Sequence, residues 1–287
     1  MTTTAADHAA CAEALRRAGS SFAAPIRLLP QAKRRGTTAL YAFCRRADDA
    51  VDDAPDEPAA AAGLDALTAD TRGALAGEPS GDPVLRALAD TVRRFAIPPW
   101  CIDEILAGCR MDLTRRRYAT FAELETYCGR VAGAVGVAAV HVWGFTDPEA
   151  VERARDCGLA FQLTNILRDI PEDLGRGRVY LPEDDLRECG VSSADLVAGR
   201  IGPAFAAVAA LEVARAEAAY ARAAVMDRML STDGRCAFRG MFGVYRSILA
   251  AVRRAGPAIF TARVRPPRAR LLAAGLTTLL VGTGTRR

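Results

Sequence analysis

The sequence predicts an all-α protein built as one domain. Alanine is very common among its 287 residues, alternation of β-branched residues is rare, and apolar residues recur at spacings of three and four. These observations are typical of amphipathic helices that pack around a shared core. The chain is 51% hydrophobic and 25% charged, which is typical of a globular protein with enough apolar residues for a large core.

Turn signals rich in proline, glycine and aspartate separate the predicted helices. We expect helices at 31–52 before APDEP, 59–76 before GEPSGDP, 83–95 before IPP, 99–115, 120–143 before TDP, 147–170 before Pro171, 203–230 before STDG, and 234–255 before RPP. Pro203 suits the first position of its helix. No linker or internal repeat divides the chain, so we expect one domain over 1–287, with its core at about 20–260 and a more peripheral tail at 261–287.

The overall composition argues against several classes of protein. The net charge of +4 gives little reason to expect a nucleic-acid partner. None of the eight cysteines is paired as C-x-x-C and only two histidines are present, so a zinc site is not expected. The cysteines suit small buried residues in a reducing compartment. Residues 1–19 are polar and do not read as a secretory signal, so we expect a cytoplasmic protein.

The most apolar part of the tail is LLAAGLTTLLVGTG, at 271–284. It is too short to span a bilayer, which needs about 20 apolar residues. Two interpretations stay open: a core helix, or an interfacial helix at the inner face of a membrane. Arginines precede the segment at 263, 265, 268 and 270, which suits an anionic membrane surface.

The stretch RRADDAVDDAPDE, at 45–57, places four aspartates within six positions. Asp48 and Asp52 are four residues apart and share a helix face, and Asp49 and Asp53 form a second pair rotated further round. Like charges four apart on a helix repel each other. From this motif alone, the stretch is either a helix end that dissolves into an acidic loop or a place where a cation sits.

A second polar motif lies in FQLTNILRDIPEDLGRGRVYLPEDD, at 161–185. Asn165, Asp169 and Asp173 are spaced four and four, and the first two share a helix face. Pro171 lacks an N–H and clashes with the preceding turn, so we expect the helix to kink or end there. Apolar residues at helical spacing give this helix a core face as well, so its polar stripe is expected to face a site.

Together the two motifs offer only carboxylate and amide oxygens, which suit a hard cation such as Mg²⁺. Arg45, which can screen Asp48 or Asp49, and Arg168 stand beside the motifs, and guanidinium matches phosphate oxygens bidentately. The sequence contains neither G-x-x-x-x-G-K nor G-x-G-x-x-G. We therefore expect a metal-bridged diphosphate rather than a nucleotide on a glycine-rich loop.

From about residue 20 to residue 259 the sequence resembles the squalene and phytoene synthases, which join two isoprenoid diphosphates head to head. The stretches that carry the resemblance are SFAAPIRLLP with KRR and ALYAFCRRADDAVDD, then YCGRVAGAVG, then QLTNILRDIPEDLGRGRVYLP. The last of them is the most specific. The resemblance implies the all-α isoprenoid synthase fold, in which two aspartate-bearing helices face each other across a central cavity.

The resemblance also implies a set of site residues. Those expected to hold Mg²⁺, or Mn²⁺ in its place, are Asp48 and Asp52 on one wall and Asn165, Asp169 and Asp173 on the other. Those matching positions that bind or flank the substrate diphosphate are Ser21, Tyr41, Arg45, Gln162, Arg168 and Tyr245. Among these, a catalytic part is implied for Tyr41, Arg45, Arg168 and Tyr245. One departure is Gly129, where many relatives have tyrosine, so a catalytic part for that position is in doubt.

The resemblance further implies a monomeric enzyme that takes two prenyl diphosphates. The particular residues in the motifs favour two farnesyl diphosphates as substrates and presqualene diphosphate as the product. The alternative is phytoene, made from two geranylgeranyl diphosphates. NADPH is expected only if squalene is the product. A non-catalytic scaffold relative would tend to lose the acidic motifs, and a terpene cyclase or chain-elongating enzyme should lack YCxxVAGxVG and NILRDxxED. All of these motifs are present here.

Overall fold

The computed structural model describes residues 4–200, 202–265 and 267–281, and α-helices form most of this part of the chain. The helices are α1 (Ala5–Arg17), α2 (Ala23–Ile26), α3 (Gln31–Asp52), α4 (Glu57–Ala76), α5 (Pro83–Arg94), α6 (Pro99–Thr114), α7 (Phe121–Cys128), α8 (Ala134–Trp143), α9 (Ala150–Gly175), α10 (Glu183–Glu188), α11 (Ser193–Val197), α12 (Ala204–Ala223), α13 (Thr232–Ala255) and α14 (Arg268–Val281). The prediction of an all-α protein is confirmed.

Most predicted helices are found within a few residues of their expected bounds. The sequence did not single out α1, α2, α10 or α11, which are short or begin in polar sequence. The helix predicted at 120–143 is present as α7 and α8, joined without a break by the π-helical turn Gly129–Gly133. The predicted 203–230 helix ends earlier, because a 3₁₀ segment, Ala224–Arg228, follows α12.

Helix α3 positions the first acidic motif. Its inner face, which includes Leu40, Phe43 and Ala47, is buried in the core. Because these positions recur at three and four, the intervening polar positions lie on other faces of the helix. The helix ends at Asp52, and the backbone N–H of the next residue, Asp53, bonds the carbonyl of Asp49. The acidic motif therefore lies on regular helix up to its last residue.

Helix α9 runs through Pro171 to Gly175, so the expectation that it would end near the proline is wrong. A proline removes one backbone N–H from the helical ladder, and here the ladder resumes after it. Carbonyls of the last turn accept bonds from the Arg176, Gly177 and Arg178 N–H groups. Asp173 therefore follows Asp169 one turn further along the same helix, and not on a separate turn.

The π-helical turn and α8 pack closely against α9. A Cβ on Gly158 would stand 2.5 Å from the Ala132 backbone, and a Cβ on Gly136 would stand 2.5 Å from the Ala154 carbonyl. The small residues of the VAGAVG stretch therefore serve a close helix contact. This contact fixes where α9 and the second acidic motif stand.

The tail forms α14, which packs along α13. Leu271 contacts the core, while Leu272, Leu276 and Leu280 are exposed. The segment is therefore not a fully buried core helix, and its contact with a membrane stays a prediction. Among the described helices, none combines the length and apolar character that crossing a membrane requires.

Candidate active site

Asp48 lies near the C-terminal end of α3. Its side chain is accessible to water, yet the surrounding protein desolvates it and raises its pKa to about 7, with the nearby carboxylate of Asp52 acting in the same direction. The Cys109 thiol of α6 lies 3.8 Å from its Oδ1. Burial disfavours the charged form of a carboxylate, so the surroundings of Asp48 leave its charge poorly solvated. No ion pair forms at Asp48 within the described residues.

Asp52 is tied to the far side of the site. Its Oδ2 accepts a hydrogen bond from Arg176 at 2.6 Å, and its Oδ1 accepts one from Arg178 at 3.0 Å. Arg178 is buried and follows the second acidic motif, where its N–H donates to the carbonyl of Asp173 at 2.9 Å. This pairing brings the end of α9 against the end of α3, as two facing walls require.

Asp49 and Asp53, the other two aspartates of the first motif, make different contacts. Arg45 donates from Nε to Asp49 Oδ1 at 2.7 Å, so of its two expected partners it selects Asp49. Asp53 is exposed at the C-terminal end of the helix. Of the four aspartates, Asp52 is the one that contacts the residues after α9, and Asp48 lies within electrostatic reach of it.

The second wall is built on α9. Arg168 holds both carboxylate oxygens of Asp169, at 2.8 and 2.6 Å. Burial and the Asp169 charge raise the pKa of Asp173 to about 7, against the lowering effect of Arg178 and Arg176. Desolvation is the largest cause, as it is for Asp48.

Asn165 offers an unused acceptor on the same wall. Its Oδ1 is buried and finds no hydrogen-bond partner in the described ranges, while its amide lies 3.5 Å from Gln162 Oε1. A buried carbonyl oxygen without a partner is uncommon and costs free energy unless a ligand satisfies it. A cation that took this oxygen as a ligand would remove that cost.

Arg263 is a site residue that the sequence assigned only to the basic tail. Its Nε lies 2.7 Å from Asp169 Oδ1, and its Nη1 lies 2.9 Å from Glu172. It comes from the segment between α13 and α14, about ninety residues beyond the motif it contacts. The only sequence signal for it was the run of arginines before the apolar tail.

Aromatic rings cover the apolar side of the site. Tyr245 stacks on Phe161 at 4.2 Å between ring centroids and on Phe22 at 5.2 Å. Phe22 meets Tyr41 edge to face at 6.4 Å. Burial raises the pKa of Tyr245, whose hydroxyl also hydrogen-bonds Asn165 and Arg168. The two predicted tyrosines therefore belong to one aromatic cluster, made of Phe22, Tyr41, Phe161 and Tyr245, that touches the second polar wall.

Ser20 was missed by the sequence interpretation, which chose Ser21. The Tyr41 hydroxyl hydrogen-bonds Ser20. Ser21 is half-buried at the next position along the chain. The two serines are adjacent just before α2, and nothing in the sequence tells which of them faces Tyr41.

Asp112, on α6, is a further carboxylate that the sequence did not single out. It accepts hydrogen bonds from Tyr180 at 2.7 Å and from Tyr127 at 3.0 Å. Burial raises its pKa, and the charge of Asp52 acts in the same direction. Asp48 and Asp173 are also within electrostatic reach of Asp112. It therefore lies where the two walls converge.

The donor set of the two walls fits a hard divalent cation. All the candidate ligands are carboxylate or amide oxygens, and the orphaned Asn165 Oδ1 is buried among them. Ion pairs with arginines partly neutralise Asp52 and Asp169 in this structure. In the part of the chain that the structure describes, no three His, Cys, Asp or Glu side chains are close enough together to hold a metal ion.

Comparisons of the sequence with known proteins agree with this geometry. A sequence model of the family described as squalene/phytoene synthase matches residues 15–270. The chain is 35% identical over 269 residues to a 15-cis-phytoene synthase of Synechococcus elongatus, an alignment that covers 90% of this chain and 87% of that protein. It is 36% identical over 269 residues to a 15-cis-phytoene synthase of a Paracoccus species, covering 90% and 86%.

Solved structures give the same result for the fold. A dehydrosqualene synthase bound to a ligand superposes with a TM-score of 0.86 at 30% identity, covering 94% of each chain. A squalene synthase from Alicyclobacillus acidocaldarius superposes with a TM-score of 0.80 at 30% identity, covering 88% of this chain and 94% of that one. The expected isoprenoid synthase fold is confirmed.

Proposed function

This chain belongs to the squalene/phytoene synthase family and is a prenyltransferase of that type, and we propose that it condenses two prenyl diphosphates head to head with Mg²⁺ as cofactor. The observation that carries the proposal is the facing pair of acidic walls, closed by Asp52 with Arg176 and Arg178. The two polar walls lie beside the aromatic cluster. This arrangement suits a substrate in which a diphosphate group is joined to a hydrocarbon chain.

We propose that both walls hold the cation. The residues that would bind it are Asp48, Asp52, Asn165, Asp169 and Asp173. When bound, Mg²⁺, or Mn²⁺ in its place, neutralises the leaving diphosphate and so lowers the barrier to an allylic cation. Arg45 and Arg168 now pair with neighbouring aspartates and can turn their guanidinium groups to diphosphate oxygens.

The aromatic cluster suits the hydrocarbon part of the reaction. Tyr41 and Tyr245 can present ring faces to the cation formed when diphosphate leaves, and Phe22 and Phe161 keep water away from it. The double bond of the second prenyl chain attacks the cation, and loss of one proton closes a cyclopropyl diphosphate. To give phytoene, the second diphosphate would then leave as well, the ring would rearrange and open, and loss of a second proton would form the central double bond. Gln162 and Ser21 would help to orient the two diphosphate groups.

We propose geranylgeranyl diphosphate as the substrate and phytoene as the product. The curated relatives at 35–36% identity are named phytoene synthases, which favours this alternative over the presqualene diphosphate expected from the motifs. Farnesyl diphosphate remains the second candidate, because two solved relatives at 30% identity are a dehydrosqualene and a squalene synthase. NADPH would be needed only if squalene were the product.

Product identification tests the proposal. The purified chain is incubated with Mg²⁺ and either geranylgeranyl or farnesyl diphosphate, with and without NADPH, and the extracted products are identified by mass spectrometry. We expect phytoene from geranylgeranyl diphosphate, with a lower kcat/KM for farnesyl diphosphate. Presqualene diphosphate or squalene as the preferred product would favour the second candidate. No head-to-head product from either substrate would overturn both.

We also propose that the chain acts as a monomer in the cytoplasm, at the inner face of a membrane. Its substrates and products carry long hydrocarbon chains that partition into lipid. The described helices include none that could cross the bilayer. Contact would therefore be through a surface of the folded chain.

A further inference from the structure

The last helix carries an exposed apolar stripe. Leu272, Leu276 and Leu280 are 63%, 59% and 78% exposed, and they follow one another at intervals of four. Residues four apart lie on nearly the same side of a helix, so the three side chains form one line along α14. We call them the leucine stripe. Single exposed leucines are ordinary on a protein surface, but three in line on one helix are not.

Within the described residues, the stripe stays exposed. Helix α14 packs along α13, and Leu271 is one residue of α14 that contacts the core. The neighbours of the stripe, Ala273 and Thr277, are also exposed. The helix thus places apolar side chains both on the protein and away from it, which is typical of a helix lying between a protein and an apolar medium.

The charge of the chain is strongly divided along its length. Residues 234–287 contain eleven arginines and no Asp or Glu, so this stretch carries +11. Residues 1–233 contain 27 Lys and Arg against 34 Asp and Glu, and carry −7. The modest net charge of +4 hides this division. The basic part is the part that ends in α14.

Exposed arginines lie near the start of α14. Arg253 and Arg254 occupy the last turn of α13, where Arg253 pairs with Glu217 at 3.0 Å, and Arg265 lies in the connection between the two helices. Because α14 packs back along α13 after a short connection, these three exposed side chains lie at the end of α13 where α14 begins. Arginines beside an apolar stripe complement an anionic lipid surface, where leucines enter the acyl region and guanidinium groups meet the headgroups.

We propose that α14 docks the protein on an anionic bilayer through the leucine stripe and the neighbouring arginines. A second copy of the chain is a less suitable partner for the leucine stripe than a bilayer. A two-fold contact through α14 would place the same basic segment of each copy beside the other, and like charges repel. A bilayer containing anionic lipid offers both the apolar medium and the opposite charge.

Docking through α14 also has a consequence for the candidate active site. Arg263, in the segment that leads into α14, pairs with Asp169 and Glu172 on the second wall. The docked helix and the metal-binding wall are therefore joined by a short stretch of chain. If the chain acts on prenyl diphosphates, as proposed above, docking would bring lipid-dissolved substrate to this wall.

Vesicle co-sedimentation of the full chain tests the proposal without using its activity. The vesicles contain phosphatidylcholine and phosphatidylglycerol in equal parts, and a parallel set contains phosphatidylcholine alone. We expect the chain to pellet with the anionic vesicles and to bind the neutral set much more weakly. Replacing the stripe by L272S, L276S and L280S together should lower the partition coefficient at least about tenfold, because three leucines that would enter the acyl region are lost.

Two control variants separate the stripe from other surface changes. Val197→Ser removes an apolar side chain that is 54% exposed on α11, and it should leave binding unchanged. Arg254→Gln together with Arg265→Gln should weaken binding to anionic vesicles and make it less sensitive to salt. Circular dichroism of each variant confirms that its helix content is retained.

A fluorescence measurement keeps the test independent of how well the triple variant folds. Leu276→Trp in the otherwise unchanged chain should give a blue-shifted emission when anionic vesicles are added, whereas Val197→Trp should not. Absence of vesicle binding, or equal binding by the triple serine variant, would overturn the proposal. A dimer in sedimentation equilibrium that L276S dissociates, without vesicle binding, would assign the stripe to a second copy instead. Vesicle binding by a chain that forms no head-to-head product would refute the proposed function alone.

Discussion

The two acidic walls of the candidate site are alike in pattern and different in how they are held. Each has one aspartate paired with arginines, Asp52 on α3 and Asp169 on α9. Each also has one aspartate whose pKa burial raises to about 7, Asp48 and Asp173. The arginines on Asp52 come from beyond the opposite wall, whereas Asp169 is held by its own neighbour Arg168 and by the tail.

The difference shows how the chain brings the walls together before any ligand binds. Arg178 is buried and bonds both to Asp52 and, through its backbone, to Asp173. It therefore fixes the distance between the end of α3 and the end of α9. We propose that the desolvated aspartates bind the cation, because a charge that burial disfavours is stabilised when a divalent ion approaches.

The largest expected effect is a fall in kcat/KM when a desolvated aspartate is replaced by a neutral residue. Asp48→Asn and Asp173→Asn should each lower kcat/KM on the order of a hundredfold or more, because a ligand to the diphosphate-bound cation is weakened. Steady-state kinetics with radiolabelled prenyl diphosphate measure this. Asp53→Asn is the matched control, because Asp53 is exposed at the helix end, and it should change kcat/KM less than about threefold. Equal losses in all three variants would contradict the division of roles.

The next largest expected effect is on the free energy of unfolding, through the ion pairs that join the two walls. Arg178→Gln should lower the free energy of unfolding by about 1–3 kcal/mol, because the partly buried Asp52 loses a charged partner. Arg176→Gln removes a side chain that is 53% exposed, and should cost less than about 1 kcal/mol. Urea unfolding followed by circular dichroism compares the two variants. A larger loss for Arg176→Gln would mean that Arg178 is not the main link.

A buried carboxylate outside both walls tests whether burial itself raises a pKa here. Glu212 on α12 is 1% exposed, and burial raises its pKa to about 7 although Arg215 lowers it through an ion pair. The folded pKa lies above the usual value of 4.5, so stability falls as pH rises between these two values. Glu212→Gln should therefore raise the free energy of unfolding by about 1–3 kcal/mol near pH 8 and change it little below pH 4.5. Urea unfolding at both pH values measures this, and an equal effect at both would rule out the charge as the cause.

The smallest effect is expected at Gly129, in the π-helical turn that packs against the second wall. A Cβ there meets nothing within 4 Å, so Gly129→Tyr should change the free energy of unfolding by less than about 1 kcal/mol. Gly158→Ala is the contrasting variant, because its Cβ would collide with the Ala132 backbone, and it should cost about 1–3 kcal/mol. Thermal unfolding ranks the two variants. A severe loss for Gly129→Tyr would show that the space is not open.

The sequence predicted the elements that carry the site better than the contacts between them. Helix α3 was predicted at 31–52 and is found at Gln31–Asp52, because prolines bound it on both sides and its apolar spacing is regular. The end of α9 was predicted wrongly, because the loss of one N–H at Pro171 is small beside the bonds that continue the helix.

The arginine pairings could not be predicted from the sequence. Asp52 and Arg178 are 126 positions apart, and only the packing of α9 against the rest of the bundle brings them together. Arg263 and Asp169 are similarly distant and meet only because the tail returns past the second wall. Asp112 belongs to no recognisable sequence motif. Its position in the site depends on hydrogen bonds from two tyrosines that come from different parts of the chain.

The most direct test of the central claim is a calorimetric titration of Mg²⁺ into the protein in the presence of inorganic diphosphate. If the two walls hold one metal-bound diphosphate between them, the wild-type chain and Asp53→Asn should bind Mg²⁺ with similar affinity. Asp48→Asn on one wall and Asp173→Asn on the other should each weaken binding at least about tenfold, because each carries a ligand to the same site. Unchanged Mg²⁺ affinity in either of these two variants would contradict a shared site between the walls.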